Sequence, residues 1–186
     1  MNRGFPSSIW IAPVVIYGLA FASPAAAQAT IRHPGDHPNY SFEAEPHLAL
    51  NPYLDDAGVG PGFRGTVQIL DNGFIPSIND SIGIGFGLDL LFYGNPCNHC
   101  GTATEVVVPV VLQWNFWLAR QWSVFGEPGF DFHFHTGPAH HHFDFDPFAF
   151  YAGGRFHFND SVALTLRLGA PFFDDQPFSI GVSFLL

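Results

Sequence analysis

Residues Ser81–Tyr93 read SIGIGFGLDLLFY. Ile82, Ile84, Phe86, Leu88 and Leu90 take every second position, and Gly83, Gly85, Gly87 and Asp89 lie between them. A period of two places the large apolar side chains on one face of a β-strand and the small residues and one charge on the other. The contrast between the faces matters more than the period. A strand solvated on its polar side carries Lys and Glu there, whereas glycines suit a space too narrow for side chains, such as the interior of a small barrel.

The same alternation recurs along the chain. Apolar positions run through Phe42–Leu50, Gly60–Leu70, Glu105–Trp117, Trp122–His135, Pro147–Phe158, Ser161–Leu168 and Phe178–Leu186, so the pattern predicts eight strands in all. The connections alternate in character. Ala119–Gln121 and Asn159–Asp160 are tight turns, while Asn95–Thr104 and Thr136–Asp146 are longer and more polar. Short turns at one end and long loops at the other are the pattern of a membrane barrel. Asp71–Asp80 is a long connection on the short-turn side, and Pro46, Pro109 and Pro128 predict bulges or irregularities, since each removes a ladder donor.

Composition points the same way. The chain has 186 residues, of which 12% are charged, 47% hydrophobic and 17% aromatic; its six basic residues are all Arg. A charge share about half that of ordinary soluble domains argues against a monomeric cytosolic protein. A formal charge of −10 with no basic patch argues against a nucleic-acid partner.

The start of the chain, residues 1–27, combines Arg3, an apolar run from Ile9 to Phe21 and a small-residue site at Ala25–Ala27, the anatomy of a cleaved signal peptide. Residues 28–40 are turn formers without apolar period and are expected to be a flexible lead. Residues 41–186 are expected to form a barrel. No later window of 18 apolar residues exists, which excludes a membrane helix but not membrane strands of about 9–11 residues.

An eightfold alternation fits a soluble lipocalin-like barrel or sandwich with its apolar face inward, and a membrane barrel with that face outward. The small and sparsely charged polar faces favour the second. Its interior would hold Glu43, Glu45, Arg64, Asp89, Glu127, Asp131, Arg155 and Arg167 as an ion-pair network, because buried charges need partners. Trp114, Trp117, Trp122 and Tyr93, near strand ends, are candidates for the aromatic girdles of a bilayer interface. The last segment, FSIGVSFLL, alternates to the end and closes on Leu186. With these features residues 40–186 resemble the small outer-membrane β-barrel proteins of Gram-negative bacteria, OmpA/OmpW-like in the broad sense. The resemblance implies an all-β, eight-stranded antiparallel up-and-down transmembrane barrel in the outer membrane. It also implies lipid and the barrel-assembly machinery as partners, and a monomer or small oligomer.

Candidate chemistry is concentrated in histidine. His133 and His135 stand at i, i+2 on one strand face, and His140, His141 and His142 follow in the next connection; together they are candidate ligands for Zn²⁺, Cu²⁺ or Ni²⁺. The competing reading is a solvated polar loop. Cys97 and Cys100, in an exported chain, most simply form a disulfide at a loop tip. Glu127, Asp131 and His133 share a face and could mimic an acid–base set, although a lumen network explains them more economically. No nucleophile elbow, zinc-protease motif or phosphate loop is present. The functions that follow are structural, surface-interactive or limited small-solute passage, and no cofactor is required. The alternatives are a surface metal-binding barrel, a lipid-modifying barrel enzyme and a soluble periplasmic lipocalin-like binding protein.

Overall fold

In the computed structural model, residues 30–51, 57–94, 103–137, 141–169 and 178–186 are described. They form eight antiparallel strands: β1 Phe42–Asn51, β2 Gly58–Leu70, β3 Asp80–Tyr93, β4 Ala103–Ala119, β5 Trp122–Thr136, β6 His141–Asn159, β7 Val162–Gly169 and β8 Phe178–Leu185. Each strand pairs with its neighbour in sequence, and β1 pairs with β8, so the sheet closes into a barrel without a free edge. The up-and-down order follows from the tight turns: Arg120–Gln121 joins β4 to β5 and Asp160–Ser161 joins β6 to β7.

Alternation sorts the side chains as the sequence implies. Ile84, Phe86 and Leu88 on β3 point outward and are 46%, 44% and 49% exposed, and Leu166, Ile180, Val182 and Phe184 continue the apolar exterior on β7 and β8. Inside, β3 passes close to its neighbours. A Cβ on Gly87 would stand 2.3 Å from Arg64 Nη1 and 2.6 Å from the Phe63 carbonyl, so glycine makes the room that the Arg64 guanidinium occupies.

The prolines interrupt pairing without shifting it. The β1–β8 register is the same on both sides of Glu45 and Pro46, which it skips, and the β3–β4 register likewise skips Pro109. The register shifts fall instead at Gln68/Leu70, Trp117/Ala119, Gly129/Asp131 and His157/Asn159. Only the third lies beside a proline, Pro128.

Three expectations change. First, β6 begins at His141, so His141–Asp146 extend a hairpin in which Thr136 pairs with His141 and His135 with His142. The polar residues of this stretch hid a strand that still alternates, with Phe143 and Phe145 on its outer face. Second, Trp117 and Tyr93 belong to no outer girdle. Trp117 is three residues from the outward-facing Trp114, and an odd spacing reverses the face; it points inward and is 2% exposed. Third, the described part of the lead, residues 30–40, is tied to the short-turn end. Thr30 bonds the Leu118 and Trp117 carbonyls, Asn79 N–H donates to the Ile31 carbonyl, and Asn79 Nδ2 donates to the Asp36 carbonyl. The His37 ring stacks on Trp117 at 5.2 Å, and Tyr40 packs edge-on against the same indole. These anchors are polar and aromatic, so they leave no apolar period. The long β2–β3 connection, Asp71–Asn79, supplies one of them. Burial, followed by the Glu43 carboxylate, holds the Tyr40 phenol above its ordinary range and therefore neutral.

Candidate functional site

The lumen is polar and crossed by ion pairs. Arg155 on β6 reaches Glu43 on β1 with Nε and Nη2 at 3.0 Å each, and its Nη1 donates to Asn115 Oδ1 on β4 at 2.6 Å. Arg167 on β7 holds Glu45 on β1 at 2.6 and 2.9 Å and Glu127 on β5 at 2.9 Å. Gln113 Nε2 donates to the other Glu127 oxygen at 2.8 Å. Arg64 and Asp89 pair at 3.1 Å, and Asp89 also meets His47 Nε2 at 2.6 Å. Forked guanidinium contacts of this kind suit planar carboxylates, which is why arginine rather than lysine serves here. All eight residues expected in the lumen are buried. Asp131 alone pairs with no arginine; the Tyr151 hydroxyl donates to it at 2.6 Å.

Sequence reasoning missed Phe125. It lies on the inner face, with Arg155 4.2 Å and Arg167 5.2 Å from its ring centre. The ring gives both cations an aromatic face between their carboxylate partners. The signal was available, since Phe125 is two residues from Glu127 and Ser123 and so shares their face.

Glu127, Asp131 and His133 each have a partner outside the set. Glu127 is held by Arg167 and Gln113, Asp131 by Tyr151, and His133 Nδ1 by Glu105 Oε1 at 2.8 Å. Among the described residues the buried lumen side chains include many paired charges, unlike the apolar lining of a lipocalin-like cavity.

The loop end carries a second cluster. Glu105 on β4 pairs in register with His135 on β5, and His133 sits one inward step below. His135 Nε2 is 3.8 Å from Glu105 Oε1 and 4.0 Å from Asp144 Oδ2, and His142 Nε2 bonds Asp144 Oδ1 at 2.8 Å. Tyr93 on β3 donates its hydroxyl to Glu105 Oε2 and receives the Asn51 amide at 3.1 Å. Of the expected metal ligands, the structure thus brings His133 and His135 together with Glu105, which the sequence reading left out. It sets His142 against Asp144. His140, Cys97 and Cys100 lie outside the described residues, as does the His141 side chain.

No family model matches the chain, and no curated protein matches it. Among solved structures, the chain is similar to the crystal structure of Ail, the attachment invasion locus protein of Yersinia pestis. The TM-score is 0.50 at 12% identity, over 81% of this chain and 99% of that one. At that identity the likeness is one of fold, a closed eight-stranded antiparallel barrel.

Proposed function

We propose that the chain is an outer-membrane β-barrel of Gram-negative type, exported by its first 27 residues, which acts as a structural and surface-interaction protein. One observation carries this reading: the faces are inverted relative to a soluble barrel. Large apolar residues lie on the outside of every strand, and seven of the eight expected lumen charges are paired inside. A monomer in water rarely exposes a continuous apolar surface of this extent, whereas an apolar band around a polar interior is what a bilayer selects. The fold likeness to Ail supports the same class. Side chains from β1, β5, β6 and β7 bridge the lumen, which disfavours free passage of solute. Contact with the surroundings then falls to the loop end, where the β5–β6 hairpin projects.

A short epitope inserted between Gly137 and His141 tests this orientation. Antibody is expected to label intact cells. Labelling only after the outer membrane is permeabilised would overturn the surface role.

A further inference from the structure

The cluster at the loop end has the composition and spacing of a transition-metal site. Glu105, His133 and His135 each offer one donor atom, and the three atoms lie within 4.8 Å of one another. Bonds of about 2.0–2.2 Å to a tetrahedral zinc ion place its donor atoms about 3.4 Å apart. His133 Nδ1 stands 2.8 Å and His135 Nε2 3.8 Å from the same carboxylate oxygen, on either side of that spacing. Side-chain adjustment toward that common spacing would seat an ion among the three groups.

The surroundings favour a cation in three ways. The Tyr93 hydroxyl holds the second Glu105 oxygen and is itself held by Asn51, which leaves Oε1 directed at the imidazoles. Outer partners of this type fix the geometry of metal-bound carboxylates. Asp131, Asp144 and Asp146 lie on the paired β5–β6 segment, with Asp144 opposite His133 and Asp146 opposite Asp131. Access is graded: Glu105 and His133 are buried, while the His135 side chain is 36% exposed and meets the outside.

We propose that Glu105, His133 and His135 bind a divalent transition-metal ion of zinc type, leaving a fourth position for water. Two imidazoles and one carboxylate suit borderline ions such as Zn²⁺, Cu²⁺ and Ni²⁺ rather than Ca²⁺ or Mg²⁺, which prefer all-oxygen sets. The histidine run at 140–142 is not the ligand set in this assignment; its His142 serves Asp144. The site stands on the barrel geometry alone and does not depend on which membrane holds the barrel.

The test is Zn²⁺ titration of the full folded protein in detergent, by calorimetry, with Co²⁺ as a spectroscopic substitute. One ion per chain is expected, with the visible bands of a four-coordinate Co²⁺ site. Glu105→Gln and His135→Ala are each expected to weaken Zn²⁺ binding by at least about tenfold, and Tyr93→Phe by about tenfold, as for other outer partners. His142→Ala is expected to change it less than about twofold, since that ring is no ligand. Folding of each variant is checked by its gel shift on boiling. His135 is partly exposed, so His135→Ala decides the matter if Glu105→Gln does not fold. Failure of the wild-type protein to bind Zn²⁺ would overturn the proposal. So would binding that survives His135→Ala and vanishes when His140, His141 and His142 are replaced together.

Discussion

Arg167 shows how a single residue closes the lumen. Its guanidinium joins carboxylates from β1 and β5 and lies 5.2 Å from the Phe125 ring centre, so three residues on two other strands depend on it. Replacing it by alanine leaves Glu45 and Glu127 buried without their cation. Removal of one member of a buried pair destabilises by about 3–5 kcal/mol, and Arg167→Ala is expected to lose stability of that order in urea unfolding from lipid vesicles. Lysine should recover only part of the loss, because one ammonium cannot span both carboxylates as the fork does. A loss under about 1 kcal/mol would mean that the lumen is wet enough to solvate the orphaned acids. The eight lumen charges were legible in the sequence because each falls on the small-residue face of an alternating segment. Their pairing was not, since Arg155 and Glu43 are 112 positions apart and only closure of the barrel brings them together.

At the scale of the strand, β3 and the β5–β6 hairpin mark the limits of pattern reading. In β3 the alternation runs without a break from Ile82 to Leu90, so most of its extent was evident from the sequence. In β6 the first residues, His141–Asp146, alternate Phe with His and Asp. Polarity there reads as loop, yet beyond the rim the inner face of a hairpin meets water and tolerates such residues. Glu105 escaped notice for a related reason: its role comes from its register opposite His135, which the order of residues along one strand does not contain. The outer face of β3 offers a direct probe of its surroundings. Phe86 lies midway along the strand and is 44% exposed. If lipid surrounds it, Phe86→Arg destabilises by about 2–4 kcal/mol, the penalty for a basic residue on the lipid face near the bilayer midplane. A change within about 0.5 kcal/mol, as at an ordinary solvated surface position, would place water there instead. Refolding equilibria in vesicles distinguish the two.

For the molecule as a whole, closure and inversion act together. Pairing of β1 with β8 satisfies the backbone groups that an open edge would expose, which a bilayer demands because it offers no water to bond them. Both ends of the described chain lie at the short-turn end, where Trp117, Tyr40 and His37 pack the lead against the barrel rim. The opposite end carries the histidine–carboxylate cluster. The barrel therefore has one end packed by the lead and another that carries the cluster, joined by a lumen crossed by ion pairs. The most direct test of its membrane residence is cell fractionation of the native protein, with unheated and boiled samples compared on gels. The account predicts recovery in the outer-membrane fraction and a shift in apparent size on boiling, as a closed barrel resists detergent until heated. Recovery as a freely soluble periplasmic protein would contradict it, because the apolar exterior seen here could not then face its solvent.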